Sequence, residues 1–224
     1  MTIVRGKFIT FEGPEGSGKS TVIKKIEEKL RENSIDYLIT KEPGSPKDPV
    51  CVELREFILN PSRDIDKETE IFLYIADRCQ HVNKVIRPAL ESGKVVICDR
   101  YIDSTYAYQG WGRRHGTVDA LNYINYLNEK STGSLIPDLT LILQVTPEEG
   151  FKRLTTTEFG KKDRIEQEKI DFFERVNKGF DHLLQNSKDR NIIAISTDEI
   201  TAEDVAKISW NCILDKLNDT NRTM

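Results

Sequence analysis

Residues 13–20 read Gly-Pro-Glu-Gly-Ser-Gly-Lys-Ser. They follow the short apolar run Phe8–Phe11 and precede a stretch, Ser20–Glu32, in which Val22, Ile23, Ile26 and Leu30 recur near a 3.6-residue period. A G-x-x-x-x-G-K-S segment between a strand and a helix is a phosphate-binding loop, and few backbones accommodate one. Its glycines let the chain wrap around phosphate oxygens, so that amide N–H groups and the helix N-terminus face the negative charge. The expected ATP-binding set is Gly13, Pro14, Glu15, Gly16, Ser17, Gly18, Lys19, Ser20 and Thr21. Lys19 is expected to bridge the β- and γ-phosphates and the Ser20 hydroxyl to ligate Mg²⁺. The loop alone does not separate a kinase from an ATPase, a GTPase or a motor.

The remaining pattern extends this unit. Short apolar runs at 37–40, 95–98, 139–145 and 192–195 read as further strands. Stretches at 50–59, 68–91 and 118–130, and others starting at 147, 167 and 201, read as helices, with Pro88 expected to kink or fray the second. Strands that are apolar throughout and alternate with helices predict an α/β chain: a five-stranded parallel sheet with helices on both faces. Ligands in such sheets sit beyond the carboxyl ends of the strands, which directs attention to the loops after strands one, two and three. A chain of 224 residues suits one domain spanning 1–224. A net charge of −4 argues against a nucleic-acid polymer as partner. Cys51, Cys79, Cys98 and Cys212 form no C-x-x-C pair, so neither a zinc nor a dithiol site is indicated, and a reducing cytoplasm is the expected compartment. No membrane association is expected, because no apolar run approaches ~20 residues and the N-terminus lacks a signal peptide's apolar stretch. The glycosylation-like triplets at 218–220 and 221–223 read as chance matches in a polar tail.

Three later segments carry a resemblance. Lys41-Glu42-Pro43-Gly44, then Asp99-Arg100-Tyr101-Ile102-Asp103-Ser104-Thr105-Tyr106-Ala107-Tyr108-Gln109-Gly110, then Asp163-Arg164-Ile165-Glu166-Gln167 follow the phosphate loop in an order and spacing that resembles the thymidylate kinase family. The resemblance runs from about residue 5 to residue 210. It implies a P-loop nucleoside monophosphate kinase fold and transfer of the γ-phosphoryl group of ATP, with Mg²⁺, to thymidine monophosphate (dTMP). It further implies a homodimer formed through helices beside the sheet, for which 68–90 could supply a face. Asp99, just past the third strand, can hold Mg²⁺ through water, and Arg100 can form a fork with the acceptor's phosphate. Glu15 resembles the family's loop carboxylate near the acceptor sugar; a solvated loop charge is the competing reading. Glu42 and Pro43 resemble the loop beside the acceptor phosphate, and Arg55 an arginine reaching the same group, although an exposed helix arginine competes. Phe72 resembles the aromatic residue that stacks on thymine, and it also suits core packing between Ile71 and Leu73. Arg78 resembles the arginine at the base edge. Ser104, Thr105, Tyr106 and Gln109 resemble the rest of the nucleoside pocket. The segment 196–199 could border the adenine or simply cap a helix.

The chain departs from the family in two places. Some members carry an arginine where this chain has Gly16, and others place arginines in a lid after the fourth strand. The lid here, about 152–166, carries Thr155, Thr156 and Thr157 where alternating arginines are usual. The candidate cations are Arg153, Lys161, Lys162 and Arg164, and Arg153 with one of the two lysines is expected to close over the phosphates. The catalytic set is then Lys19, Arg153, Asp99 and Glu15. The loop 41–49 lacks paired glycines and adds Pro46 and Pro49, so a kinase of the same fold acting on another deoxynucleoside monophosphate, or on a nucleoside, stays open. A nucleotide-binding regulator without turnover is a third reading, which the acceptor motifs oppose.

Overall fold

The computed structural model describes residues 5–156 and 163–219, and of Thr155 the backbone alone. Five parallel strands, β1 (Phe8–Glu12), β2 (Tyr37–Lys41), β3 (Val95–Asp99), β4 (Leu139–Gln144) and β5 (Ile192–Ser196), form one sheet in the order β2-β3-β1-β4-β5. The strands alternate with α1 (Lys19–Glu32), α2 (Pro49–Leu59), α3 (Lys67–His81), α4 (Arg87–Glu91), α5 (Ile102–Thr105), α6 (Val118–Thr132), α7 (Pro147–Thr156), α8 (Ile170–Asn186) and α9 (Ala202–Asn218).

Side chains on successive strand residues point to opposite faces, and here both faces are covered. Ile9, Phe11, Ile97, Leu141 and Leu143 pack under α1 and α9 with Val22, Ile26, Leu30, Trp210 and Ile213. Phe8, Val96 and Cys98 face the other way against Val82, Ile86 and Leu90, and Ile142 faces the layer made by Ile124, Phe172, Val176 and Phe180. This two-sided burial is why the strands lack a polar alternation. Helix starts follow the side chains that satisfy their free N–H groups: Asp48 accepts from the Val50 and Cys51 amides, Asp66 from Glu68, Thr117 from Ala120 and Thr201 from Asp204.

Three segments differ from expectation. The long helix expected over 68–91 is continuous, but a π-helical turn at Val82–Ile86 joins α3 to α4; Pro88 falls at the start of α4, where a missing N–H costs little. The chain from Ile102 to Gly112, read only as a motif, is α5 followed by a π-helix over Tyr106–Gly112. The helix expected from Gln167 begins at Ile170.

The topology positions the site. The connection after β1 returns to β2 on one side, whereas the connection after β3 crosses to β4 on the other, so the crevice lies at the carboxyl ends of β1 and β3. The register pairs Phe11 and Lys41 with Asp99 from either side, which brings the three strand ends together.

Candidate active site

A cavity of ≈ 370 Å³ opens at these strand ends. The phosphate loop forms one wall. Gly13, Gly16 and Gly18 have φ of 133°, 73° and 83°, and the N-terminus of α1 starts at Lys19. Gly16, Gly18, Lys19, Ser20 and Thr21 line the cavity, whereas Gly13, Pro14 and Ser17 lie behind it and hold Lys19. The Lys19 ammonium donates to Gly13 O at 3.0 Å, Pro14 O at 2.8 Å and Ser17 Oγ at 3.1 Å. Burial, with Arg100 nearby, lowers its pKa to about 8.

The second wall comes from the loop after β3. Arg100 has φ 71°, a left-handed conformation that costs a non-glycine residue about 1–2 kcal/mol. From there its guanidinium donates to Gly13 O at 2.9 Å, Ser104 Oγ at 3.1 Å, Glu15 Oε1 at 2.6 Å and Tyr108 Oη at 3.1 Å. Burial works to raise the pKa of Glu15, but Arg100 and Lys19 outweigh it and hold the carboxyl below its usual value. Glu15 is therefore an ion-paired carboxylate at the cavity edge and not a solvated loop charge.

Asp99 Oδ1 is buried and has no hydrogen-bond partner among the described residues. It lines the cavity with Ser20. No group of three or more His, Cys, Asp or Glu among the described residues could hold a metal ion by protein ligands alone. Mg²⁺ takes one or two protein oxygens and completes its shell with phosphate and water. An unspent carboxylate oxygen bordering the same cavity as the Ser20 hydroxyl fits that requirement.

The third wall is the loop after β2. Pro43 follows a cis peptide bond, and its carbonyl accepts from Arg55 Nη1 at 2.7 Å. Glu42 borders the cavity with its carboxylate turned inward: it accepts from Arg78 Nε at 2.7 Å and His81 Nδ1 at 2.9 Å. Arg78 is itself buried and donates further to Asn128 Oδ1 and Tyr101 O, which leaves two of its five N–H groups for a ligand. Asp77 accepts the Gly44 amide on both oxygens. Thus α3 supports this proline-rich loop from below.

Several expected residues stand elsewhere. Phe72 is 52% exposed on the outer side of α3 and does not line the cavity; Tyr74 does. The helix phase explains this, because residue 74 is four before Arg78 and shares its face, whereas residue 72 is six before it and does not. Tyr106 turns away from the cavity to His182 Nδ1, at 3.0 Å, and Tyr108 takes its place beside Glu15. Ser104, Thr105 and Gln109 line the cavity, and the Gln109 amide is oriented by Glu70 Oε1 at 3.0 Å. Arg164 is turned from the cavity: it donates to Ile58 O and pairs with Glu70 Oε2 at 2.6 Å. Asp163, Ile165 and Glu166 line the cavity instead. Arg153 does not reach the cavity either. It pairs with Glu149 at 2.9 Å and donates to Gly16 O and Thr197 O, on the outside of the phosphate loop. Lys161 and Lys162 lie outside the described residues.

Gly16 also explains the absence of a loop arginine. A Cβ there would sit 2.3 Å from Gly150 O in α7, at a backbone φ of 73°. The helix α7 packs directly on the loop, and no side chain fits between them.

A phosphate loop, a metal-competent carboxylate and three arginines around one cavity at the ends of three parallel strands define a P-loop nucleoside monophosphate kinase fold. The comparisons narrow this class. The thymidylate kinase family model matches residues 11–208. A thymidylate kinase of Lactobacillus helveticus is 42% identical over 204 residues, covering 90% of this chain and 92% of its own. One of Carboxydothermus hydrogenoformans is 44% identical over 187 residues, covering 84% and 88%. The crystal structure of thymidylate kinase from Ehrlichia chaffeensis superposes with a TM-score of 0.70 at 31% identity, covering 94% of this chain and 99% of that one. The chain belongs to the thymidylate kinase family.

Proposed function

We propose that this enzyme transfers the γ-phosphoryl group of ATP to the 5′-phosphate of dTMP, giving ADP and thymidine diphosphate for deoxynucleotide synthesis. The observation that carries the proposal is that Lys19 and Arg100, from two walls of the cavity, converge within hydrogen-bond reach of the same loop carbonyl, Gly13 O.

Phosphoryl transfer needs positioning and charge neutralisation more than covalent chemistry. An oxygen of the acceptor phosphate attacks the γ-phosphorus, and the bond to the β,γ-bridging oxygen breaks, with its electron pair leaving on ADP. Mg²⁺ bound through Ser20 and Asp99 would neutralise charge on the phosphate oxygens. Lys19 exchanges its three neutral loop acceptors for the β- and γ-phosphates, whose negative charge offsets the cost of burying the ammonium. Arg100 and Arg55 grip the acceptor phosphate, each exchanging part of its present protein acceptors for phosphate oxygens, and the planar guanidinium of Arg100 suits two of them at once. Glu15 and Tyr108 stand at the acceptor sugar. Tyr74 offers the face on which the base stacks, while Arg78, Thr105 and Gln109 present donors and acceptors to its edge. Arg153, held on the outer side of the phosphate loop at Gly16 O and Thr197 O, would serve as the donor-side cation only by exchanging these partners for phosphate, and Lys161 and Lys162 are the other candidates.

One domain, residues 1–224, carries the donor and acceptor sites on a single sheet. A homodimer through α2 and α3 accounts for Val50, Phe57 and Phe72, which are exposed on these helices. Four free cysteines suit a cytoplasmic enzyme, and no helix among the described residues is long and apolar enough to cross a membrane.

The test is a panel of nucleoside monophosphates and free nucleosides at saturating ATP·Mg²⁺. A kcat/KM highest for dTMP is expected. A higher value for another monophosphate or for a nucleoside overturns the acceptor assignment.

A further inference from the structure

Glu12 ends β1, is fully buried, and takes no part in the chemistry above. Its Oε1 accepts from the Tyr101 amide at 2.8 Å and its Oε2 from the Ser104 hydroxyl at 2.5 Å. Arg100, in the left-handed conformation, stands immediately before the first of these anchors and donates its own amide to Phe11 O at 2.9 Å. The turn after β3 is therefore fastened to the end of β1 at three points, two of them on one carboxylate. The Ser104 hydroxyl also accepts from Arg100 Nη1 at 3.1 Å, so carboxylate, hydroxyl and guanidinium form one chain that ends on Glu15.

Both donors to Glu12 are neutral, which makes it an expensive group to bury. Its neighbour Asp103 is satisfied separately, by a two-pronged pair with Arg190 at 2.6 and 2.7 Å. A hydrophobic residue at position 12 would fill the space but would leave the Tyr101 amide unpaired and the turn unfastened. We infer that Glu12 is a positioning residue for the acceptor phosphate: it fastens the turn 99–104 so that Arg100 keeps the left-handed conformation that aims its guanidinium into the cavity. The inference rests on the reading of Arg100 as the acceptor-phosphate ligand.

A double-mutant cycle between Glu12→Gln and Arg100→Ala tests it, with folding checked by circular dichroism. The carboxamide keeps the shape of Glu12, but it cannot accept from both donors. Assayed above about pH 8, where Glu12 is ionised, Glu12→Gln acting through Arg100 raises the KM for dTMP by about tenfold or more while the KM for ATP changes less than about twofold. In the Arg100→Ala background the same substitution changes the dTMP KM by less than about twofold, because there is no guanidinium left to misplace. Equal effects in both backgrounds, parallel rises in both KM values, or no change in the dTMP KM overturn the inference. Should Glu12→Gln fail to fold, Glu12→Asp, whose carboxylate is too short to span both donors, is read against the same outcomes. If Arg100→Ala alone leaves the dTMP KM unchanged, the assignment of Arg100 fails and the inference falls with it. If Arg100→Ala raises it and neither Glu12 variant does, the inference alone fails.

Discussion

Replacing Gly16 by alanine tests how α7 constrains the phosphate loop, and Gly18 supplies a matched control. Both glycines have left-handed φ, 73° and 83°, so an alanine at either position bears about 1–2 kcal/mol of backbone strain. Their surroundings differ. A Cβ at Gly18 meets nothing within 4 Å, whereas a Cβ at Gly16 falls 2.3 Å from Gly150 O and 2.8 Å from Gly150 Cα, both backbone atoms of a helix. Forcing such an overlap adds about 1–3 kcal/mol. Gly16→Ala is thus expected to lose about 2–5 kcal/mol and Gly18→Ala about 1–2 kcal/mol. For a chain of this size each kcal/mol shifts the melting temperature by roughly 2–4 °C. Thermal unfolding without nucleotide measures both, and Gly150→Ala, whose Cβ would lie 2.8 Å from Glu15 O, is expected to lose stability through the same contact without left-handed strain. Equal losses for Gly16→Ala and Gly18→Ala would show that α7 does not clamp the loop, and the explanation for the missing loop arginine would fail.

Other perturbations probe the rest of the site. Glu70 is buried, with Arg113, Arg164 and Gln109 donating to it, so Glu70→Ala strands two partly buried guanidinium groups and should cost about 3 kcal/mol in chemical denaturation; a loss below about 1 kcal/mol would mean water replaces the carboxylate freely. Tyr74→Ala is expected to raise the KM for dTMP by roughly 5- to 150-fold, corresponding to ~1–3 kcal/mol of base stacking, while Phe72→Ala leaves it unchanged; steady-state kinetics with the reverse ranking would reinstate Phe72. Burial, then the proximity of Asp103, raises the pKa of Glu12 to about 7 from 4.5. The folded state therefore holds a proton that the unfolded state releases, and this contribution to stability falls as pH rises from about 4.5 through 7, by up to about 3 kcal/mol. Urea melts of wild type and Glu12→Gln across this range should show the decline only in the former; parallel curves would mean Glu12 is ionised throughout.

How much of this was legible in the sequence depended on how local each decision was. The phosphate loop could be placed because its glycine spacing and flanking strand and helix lie within about 25 consecutive residues. Asp99 and Arg100 could be placed because a charged pair directly after an apolar run must emerge at a strand end. Tyr74 was readable in principle, since the same-face rule relates it to Arg78; the resemblance drew attention to Phe72 instead. Tyr106 and Tyr108 were not separable in advance, because they sit in a π-helix whose wider turn changes which side faces the cavity.

By itself, then, the sequence determined the alternating α/β architecture, the donor cradle and the strand-end charges, all of which follow from short-range pattern and backbone stereochemistry. Only the tertiary structure decided which charges are available. Arg164 is taken by Glu70, 94 positions earlier in the chain, and Arg153 by Thr197 and Gly16. Gly16 itself is closed to any side chain by a carbonyl of α7. A buried charge goes to whichever partner removes its desolvation penalty, and the fold, not the spacing along the chain, brings that partner within reach.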